Sequence, residues 1–222
     1  MNLLAIDTTT DFLSLALNCG DTVVEHHERV GQKHAELLLP TVAAQLQQAG
    51  CGLSAIGGIA FSCGPGSFTG VRIACSAAQG LGYALSVPLY PIPTLDTLAW
   101  QCRGSRTLAC LDARMNQVYY AYYDEQARPL TAIRVADPQA IERLPGNWLG
   151  AGDGFARYPD ALHAALGTQL AAIDDTVQPH ARALLEMASS GTYPAVDARD
   201  AEILYVRNKV ALTVSEQQAR RA

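Results

Sequence analysis

Leu3-Leu4-Ala5-Ile6-Asp7-Thr8-Thr9-Thr10 is a short apolar run closed by a carboxylate and three hydroxyls. Such a run reads as a buried strand, and its polar end reads as the turn that follows. Leu13, Leu15 and Leu17 then alternate with smaller residues, the period of a second strand. Asn18-Cys19-Gly20-Asp21 turns the chain into a third strand over 22–29, which predicts an antiparallel meander.

Beyond the meander, Ala35, Leu38, Leu39, Val42 and Leu46 build one apolar helical face within 32–48. Leu37 falls beside that stripe, and Pro40 lies within it and predicts a kink. Gly50-Cys51-Gly52 ends the helix, and 56–61 reads as a buried strand. The loop Gly64-Pro65-Gly66-Ser67-Phe68-Thr69-Gly70 leads into a second helix, expected over 71–85 and rich in Ala74, Ala77, Ala78, Gly80, Gly82 and Ala84. Small residues let another helix approach closely, inside the domain or from a partner. A helix over 94–101 precedes a boundary near Arg103-Gly104-Ser105. A second strand pair, 108–112 and 118–123, partly repeats the first, and a glycine-rich turn follows at 149–154. Helices are expected around Leu162 and Leu166 and over 180–189. This order predicts two related α/β halves, an N-terminal one over 1–103 and a smaller one over 104–222 whose tail packs back on the first.

Composition narrows the function. The chain has 222 residues, is 49% hydrophobic and 17% charged, and carries a net charge of -5. A protein that grips a nucleic-acid backbone alone shows a basic surplus. Arg103, Arg106 and Arg114 lie close together, but Asp112 sits among them, so they read as a solvated surface. None of the six cysteines forms a C-x-x-C pair, so buried reduced thiols are expected. With no basic-then-apolar leader and no stretch of about 18 apolar residues, a soluble cytoplasmic protein is expected.

Three elements suggest chemistry. Asp7 with Thr8 and Thr9 could hold a phosphate through a metal or water, Asp112 stands at the matching turn of the second strand pair, and Gly150 and Gly152 could admit an adenine or ribose. In this order they match the layout of the actin, sugar-kinase and heat-shock-protein ATPases. Gly66 and Ser67, ahead of a helix, could bind an anion or form a rigid turn. The loop is neither a Walker A loop nor a dinucleotide fingerprint.

Asp7-Thr8-Thr9-Thr10, the loop Gly64 to Arg72, Asp112-Ala113-Arg114 and Tyr205-Val206-Arg207 resemble the TsaB family, also called YeaZ, from residue 1 to about residue 210. The resemblance implies a two-domain actin-like ATPase fold with a degenerate nucleotide site. It further implies a non-catalytic, scaffolding part in making N6-threonylcarbamoyladenosine at adenosine 37 of tRNAs that read codons beginning with A. TsaD, the catalytic relative, and the ATPase TsaE are the implied partners and carry the ATP and metal; tRNA is met only through the complex, and a homodimer forms when the chain is alone. The implied docking face is the pair of N-terminal helices, with Leu37, Leu38, Ala74, Ala77, Ala78, Leu81, Gly80 and Gly82.

The catalytic relative holds a metal with two histidines four apart on its first long helix. This chain has only His34 there, with Val30 and Leu38 at the neighbouring turns, so His34 reads as a polar helix-start residue. Two other readings stand beside the scaffold. One is a stand-alone ATP-dependent enzyme built on Asp7, Asp112 and the turn at 149–154. The other is a glycoprotein endopeptidase of the M22 type, the older description of such chains. No H-E-x-x-H or G-x-S-x-G supports the latter, and no spacing requires Ser67, His34 and Asp7 to form a triad.

Overall fold

The computed structural model describes residues 1–207. The expected second half therefore ends, over 208–222, outside the described residues. Strands β1 (Leu3–Asp7), β2 (Phe12–Cys19) and β3 (Thr22–Arg29) form the antiparallel meander, and α1 (His34–Gln48) follows. Next come β4 (Gly58–Gly64), α2 (Phe68–Leu85), β5 (Leu89–Pro93) and α3 (Thr94–Gln101). The first sheet has the order β3-β2-β1-β4-β5, with β4 and β5 parallel to β1 and to each other.

A second sheet repeats the plan. It contains β6 (Thr107–Asp112), β7 (Val118–Tyr123), β8 (Arg134–Ala136), β9 (Trp148–Ala151) and, after α4 (Asp153–Arg157) and α5 (Pro159–Leu166), β10 (Leu170–Asp174). Its order, β10-β9-β6-β7-β8, is the first order read from the other edge, again with an antiparallel meander and two parallel strands. The two related halves expected from the repeated strand pair are present.

Strand periodicity explains the layers. Leu4 and Ile6 of β1 join Leu13, Leu15 and Leu17 beneath α1 and α2, where Leu38, Val42, Leu46, Ala74 and Ala78 close the core. Each fully buried aliphatic chain contributes about 1.5–3 kcal/mol. Leu3, Ala5 and Ala16 point to the opposite face and meet Ala181, Leu184, Leu185 and Ala188. Those four residues belong to α6 (Ala181–Ser189). Thus α6, late in the chain, packs on the first sheet rather than the second, and the Ser14 hydroxyl accepts the N–H of Ala181 at 2.9 Å. The gap between α3 and β6 separates the two sheets in the chain, and the chain returns to the first sheet with α6.

Several boundaries differ from those read in the sequence. α1 runs unbroken through Pro40; Glu36 and Pro40 are both exposed, so the carbonyl that Pro40 cannot bond faces water. α2 begins three residues earlier than expected, because the Ser67 side chain caps it. β4 begins later and continues to Gly64. All six cysteines are free. Among the described residues, no helix is long and apolar enough to cross a membrane.

An aromatic stack seats the start of α6. The His27 ring lies between Phe12, at 4.6 Å, and His180, at 4.4 Å. His180 caps α6, its Nδ1 accepting the N–H of Arg182. Burial, and then the charges of His180 and His26, lower the pKa of His27 from 6.5 to about 4. The folded state thus favours the neutral ring, and its contribution to stability is complete above pH 6.5 and lost as the pH falls towards 4. Replacing His27 by Phe keeps the stack and removes the titration. The difference in thermal midpoint between the wild type and His27→Phe is expected to change over that window and to be flat above it.

Candidate functional site

Three chain segments meet where the strands of the first sheet end. In the Asp7–Thr10 turn, one Asp7 oxygen accepts the N–H and the hydroxyl of Thr9, both at 2.8 Å. The other accepts the hydroxyl of Ser62 on β4. Asp7 is 1% exposed. Burial pushes its carboxyl above the usual range, and the hydrogen bonds from Ser62 and Thr9 oppose that rise. Its acceptor positions are directed into the protein.

The glycine loop is zipped onto this turn. The Ser67 N–H donates to Thr9 O at 2.7 Å, and the Thr8 hydroxyl donates to Gly70 O at 2.7 Å. A Cβ on Gly66 would lie 2.6 Å from Thr9 O, and one on Gly70 would overlap Thr8 O. Glycine is required at both positions for close backbone approach. Of the N–H groups open to an anion, that of Ser67 is taken by Thr9, and that of Gly70 donates to the Ser67 hydroxyl at 3.2 Å.

The second lobe supplies Asp112 at the end of β6. One of its oxygens accepts the Tyr158 hydroxyl at 3.0 Å and the Arg114 N–H at 2.9 Å; the other pairs with the Arg114 guanidinium at 3.2 Å. Asp153 accepts the backbone N–H of Asp112 at 2.9 Å, and burial raises its pKa. The glycine-rich turn is smaller than expected, because Leu149 and Gly150 belong to β9. A Cβ on Gly150 would lie 2.6 Å from the Phe155 ring, and one on Gly152, where φ is +110°, would overlap Cys110 O. These glycines let α4 pack on its sheet.

Between the lobes lies a cleft of about 720 Å³. Thr9, Gly66, Ser67 and Asp112 line it; Asp7, Thr8, Gly150 and Gly152 stand behind its wall. Its charges are mixed, with Arg29, Arg114, Arg157 and Arg207 facing Asp11, Asp112, Asp153 and Asp175. Arg114 reaches across to Asp11 at 3.7 Å. Asp11 and Asp153 escaped the sequence reading, although Asp153 stands inside the glycine turn that drew attention. A nucleotide, which the actin-like plan implies, does not fit these residues. The carboxylate expected to organise its phosphates is engaged with Ser62 and Thr9, and the glycines expected to admit its base are packed against Phe155 and Cys110.

His34 is buried, with Nε2 3.0 Å from Phe12 O, which assigns the proton to that nitrogen. Among the described residues, no group of three or more His, Cys, Asp or Glu side chains is placed to hold a metal ion.

The two N-terminal helices lie side by side over the first sheet. Leu38, Ala74 and Ala78 point into its core; Leu37, Ala77 and Leu81 are half-buried against it, and Gly82 packs on Leu89. The outer face instead presents Leu39, 56% exposed, Tyr83, 83% exposed, and Gly80, whose added Cβ would meet nothing within 4 Å. Sequence reading placed Leu39 in the apolar stripe of α1, where it instead stands outside the buried Leu38, and missed Tyr83 because α2 carries small or apolar residues all round.

Two lobes of matching strand order around a shared cleft, with helices over both faces of the first sheet, define an actin-like α/β protein. Residues 25–158 match the family model described as TsaD: tRNA N6-adenosine threonylcarbamoyltransferase. The tRNA threonylcarbamoyladenosine biosynthesis protein TsaB of Escherichia coli K12 is 35% identical, covering 95% of this chain and 96% of the relative. Its namesake in Haemophilus influenzae is 32% identical over 95% of each chain. The crystal structure of a Pseudomonas aeruginosa protein described as similar to the peptidase YeaZ superposes with a TM-score of 0.82 at 35% identity, over 93% of this chain and 99% of that one. A structure described as YeaZ from Pseudomonas aeruginosa gives 0.82 and 35% over 92% and 99%. The chain belongs to the TsaB family.

The close approach of loop and turn can be tested directly. Gly70→Ala forces overlap with Thr8 O and is expected to lower unfolding stability by about 1–3 kcal/mol, read by urea denaturation.

Proposed function

We propose that this chain takes part in threonylcarbamoylation of adenosine 37 in tRNAs reading codons that begin with A, and that it does so as a non-catalytic subunit holding TsaD in a competent shape. TsaE is the further partner, the ATP and metal belong to those subunits, and tRNA is engaged through the complex, in the cytoplasm. Family membership supports the pathway. The observation that carries the scaffold role is the internal engagement of Asp7. A carboxylate 1% exposed, hydrogen-bonded to Ser62 and twice to Thr9, has no face turned to a substrate. That counts against the stand-alone ATP-dependent enzyme as well.

The peptidase reading fares no better. The Ser67 hydroxyl caps α2, His34 is bonded to Phe12 O, and Asp7 is bonded to Ser62 and Thr9, so these three residues form no nucleophile–base relay.

Docking falls to the outer face of α1 and α2, around Leu39, Gly80 and Tyr83, and the same face serves a homodimer when the chain is alone. Two experiments test the proposal. Reconstitution of tRNA modification with TsaD, TsaE and the threonylcarbamoyl-adenylate synthase is expected to fail when this chain is omitted; full modification without it would sink the scaffold role. Gly80→Leu adds a bulky group where nothing internal is touched. Its thermal midpoint is expected to stay near wild type while co-elution with TsaD is lost, and unchanged co-elution would remove this face from the interface.

A further inference from the structure

The segment from Ile203 to Arg207 crosses the cleft and is held on both sides. On the first lobe, the Leu204 N–H donates to Cys63 O at 2.9 Å, beside the end of β4. Gly64 makes room for this: a Cβ there would stand 3.0 Å from Leu204 O. Just upstream, the Gln79 side chain donates to Ala201 O at 3.0 Å. The Tyr205 ring lies 5.3 Å from the Arg72 guanidinium, whose carbon sits 3.4 Å over the Phe68 ring. On the second lobe, the Arg207 guanidinium donates to Ala113 O at 3.0 Å and to Gln117 Oε1 at 2.8 Å. The hairpin that presents these acceptors turns through Arg114, Met115 and Asn116, all at positive φ.

Leu204 and Arg207 are three residues apart, roughly 10 Å of extended chain. One short segment therefore binds β4 at one end and the β6–β7 hairpin at the other. Its contacts are those of peptide recognition: a backbone N–H on a carbonyl, an aromatic ring on a cation, and a guanidinium whose Nη2 donates to two oxygens while Nη1 reaches Met115 Sδ.

We propose that the interlobe cleft is a peptide-binding site, that its ligand is this chain's own Ile203–Arg207, and that this segment ties the lobes together where the actin-like plan would place a nucleotide. Covalent attachment gives the segment a high effective concentration at its site, so it occupies the cleft continuously. Arg207 is its anchor on the second lobe, and Arg72 and Gly64 make its seat on the first.

Hydrogen exchange on the full chain tests this. In the wild type, the Leu204 amide is expected to exchange slowly. Arg207→Ala is expected to speed that exchange about tenfold or more, as loss of hydrogen bonds from a charged group implies. Arg207→Lys, which keeps the charge and loses the second terminal nitrogen on Met115 Sδ, is expected to fall between. Arg72→Ala is expected to speed exchange at Leu204 without loosening the β6–β7 hairpin. Slow exchange in β1 and β6 of each variant serves as the control for folding. A labelled peptide of residues 201–207 is expected to bind the Arg207→Ala chain and not the wild type. Unaltered exchange at Leu204 in Arg207→Ala, or equal peptide binding by both chains, would overturn the proposal.

Discussion

Asp7 stands at the end of β1, almost without exposure, and both of its oxygens are occupied by Ser62 and Thr9. Removing one of these partners, so that a buried acceptor is left unsatisfied, costs about 1–3 kcal/mol. The bonds hold the Asp7–Thr10 turn in one shape and join β1 to β4. That shape offers Thr9 O to Ser67 and the Thr8 hydroxyl to Gly70, which seats the glycine loop. The loop in turn sets where α2 begins and how it lies over the first sheet. The carboxylate is used here as a fastening between strand, turn and helix.

The second lobe follows the same strand plan with different consequences. Its aspartate, Asp112, ends the corresponding strand, but lies at the surface of the cleft and is paired with Arg114 and Tyr158. No long helix corresponding to α1 stands between β8 and β9. The lobes are joined by more than their linker: α6 returns to the first sheet through the Phe12–His27–His180 stack, and Arg114 reaches Asp11. The cleft between them is of mixed charge and is crossed by the chain's own residues.

Much of the architecture was legible in local pattern. The alternation of Leu13, Leu15 and Leu17, the stripe of Leu38, Val42 and Leu46, and the repeat of a strand pair at 107–123 each report a period that backbone geometry imposes. Ser67 as a cap was hidden behind Phe68 and Thr69, which look like loop residues, so α2 was read three residues short. The site was less legible. A strand ending in Asp-Thr-Thr looks the same whether the carboxylate faces a ligand or the interior, since the partner that decides it, Ser62, lies 55 residues away. Glycines that admit a ligand and glycines that admit Phe155 are likewise the same letters.

By itself the sequence determined the two-lobed α/β plan, the glycine loop ahead of a helix, and the absence of a second histidine beside His34. Those features are carried by neighbours along the chain, within one strand, one turn or one helical face. Only the tertiary structure decided that Asp7 is consumed by Ser62 and Thr9, that α6 belongs to the first sheet, that Leu39 and Tyr83 rather than Leu38 and Ala74 look outward, and that Ile203–Arg207 spans the cleft. Each of these depends on residues far apart in sequence meeting in space, and local periodicity carries no record of which distant partner is met.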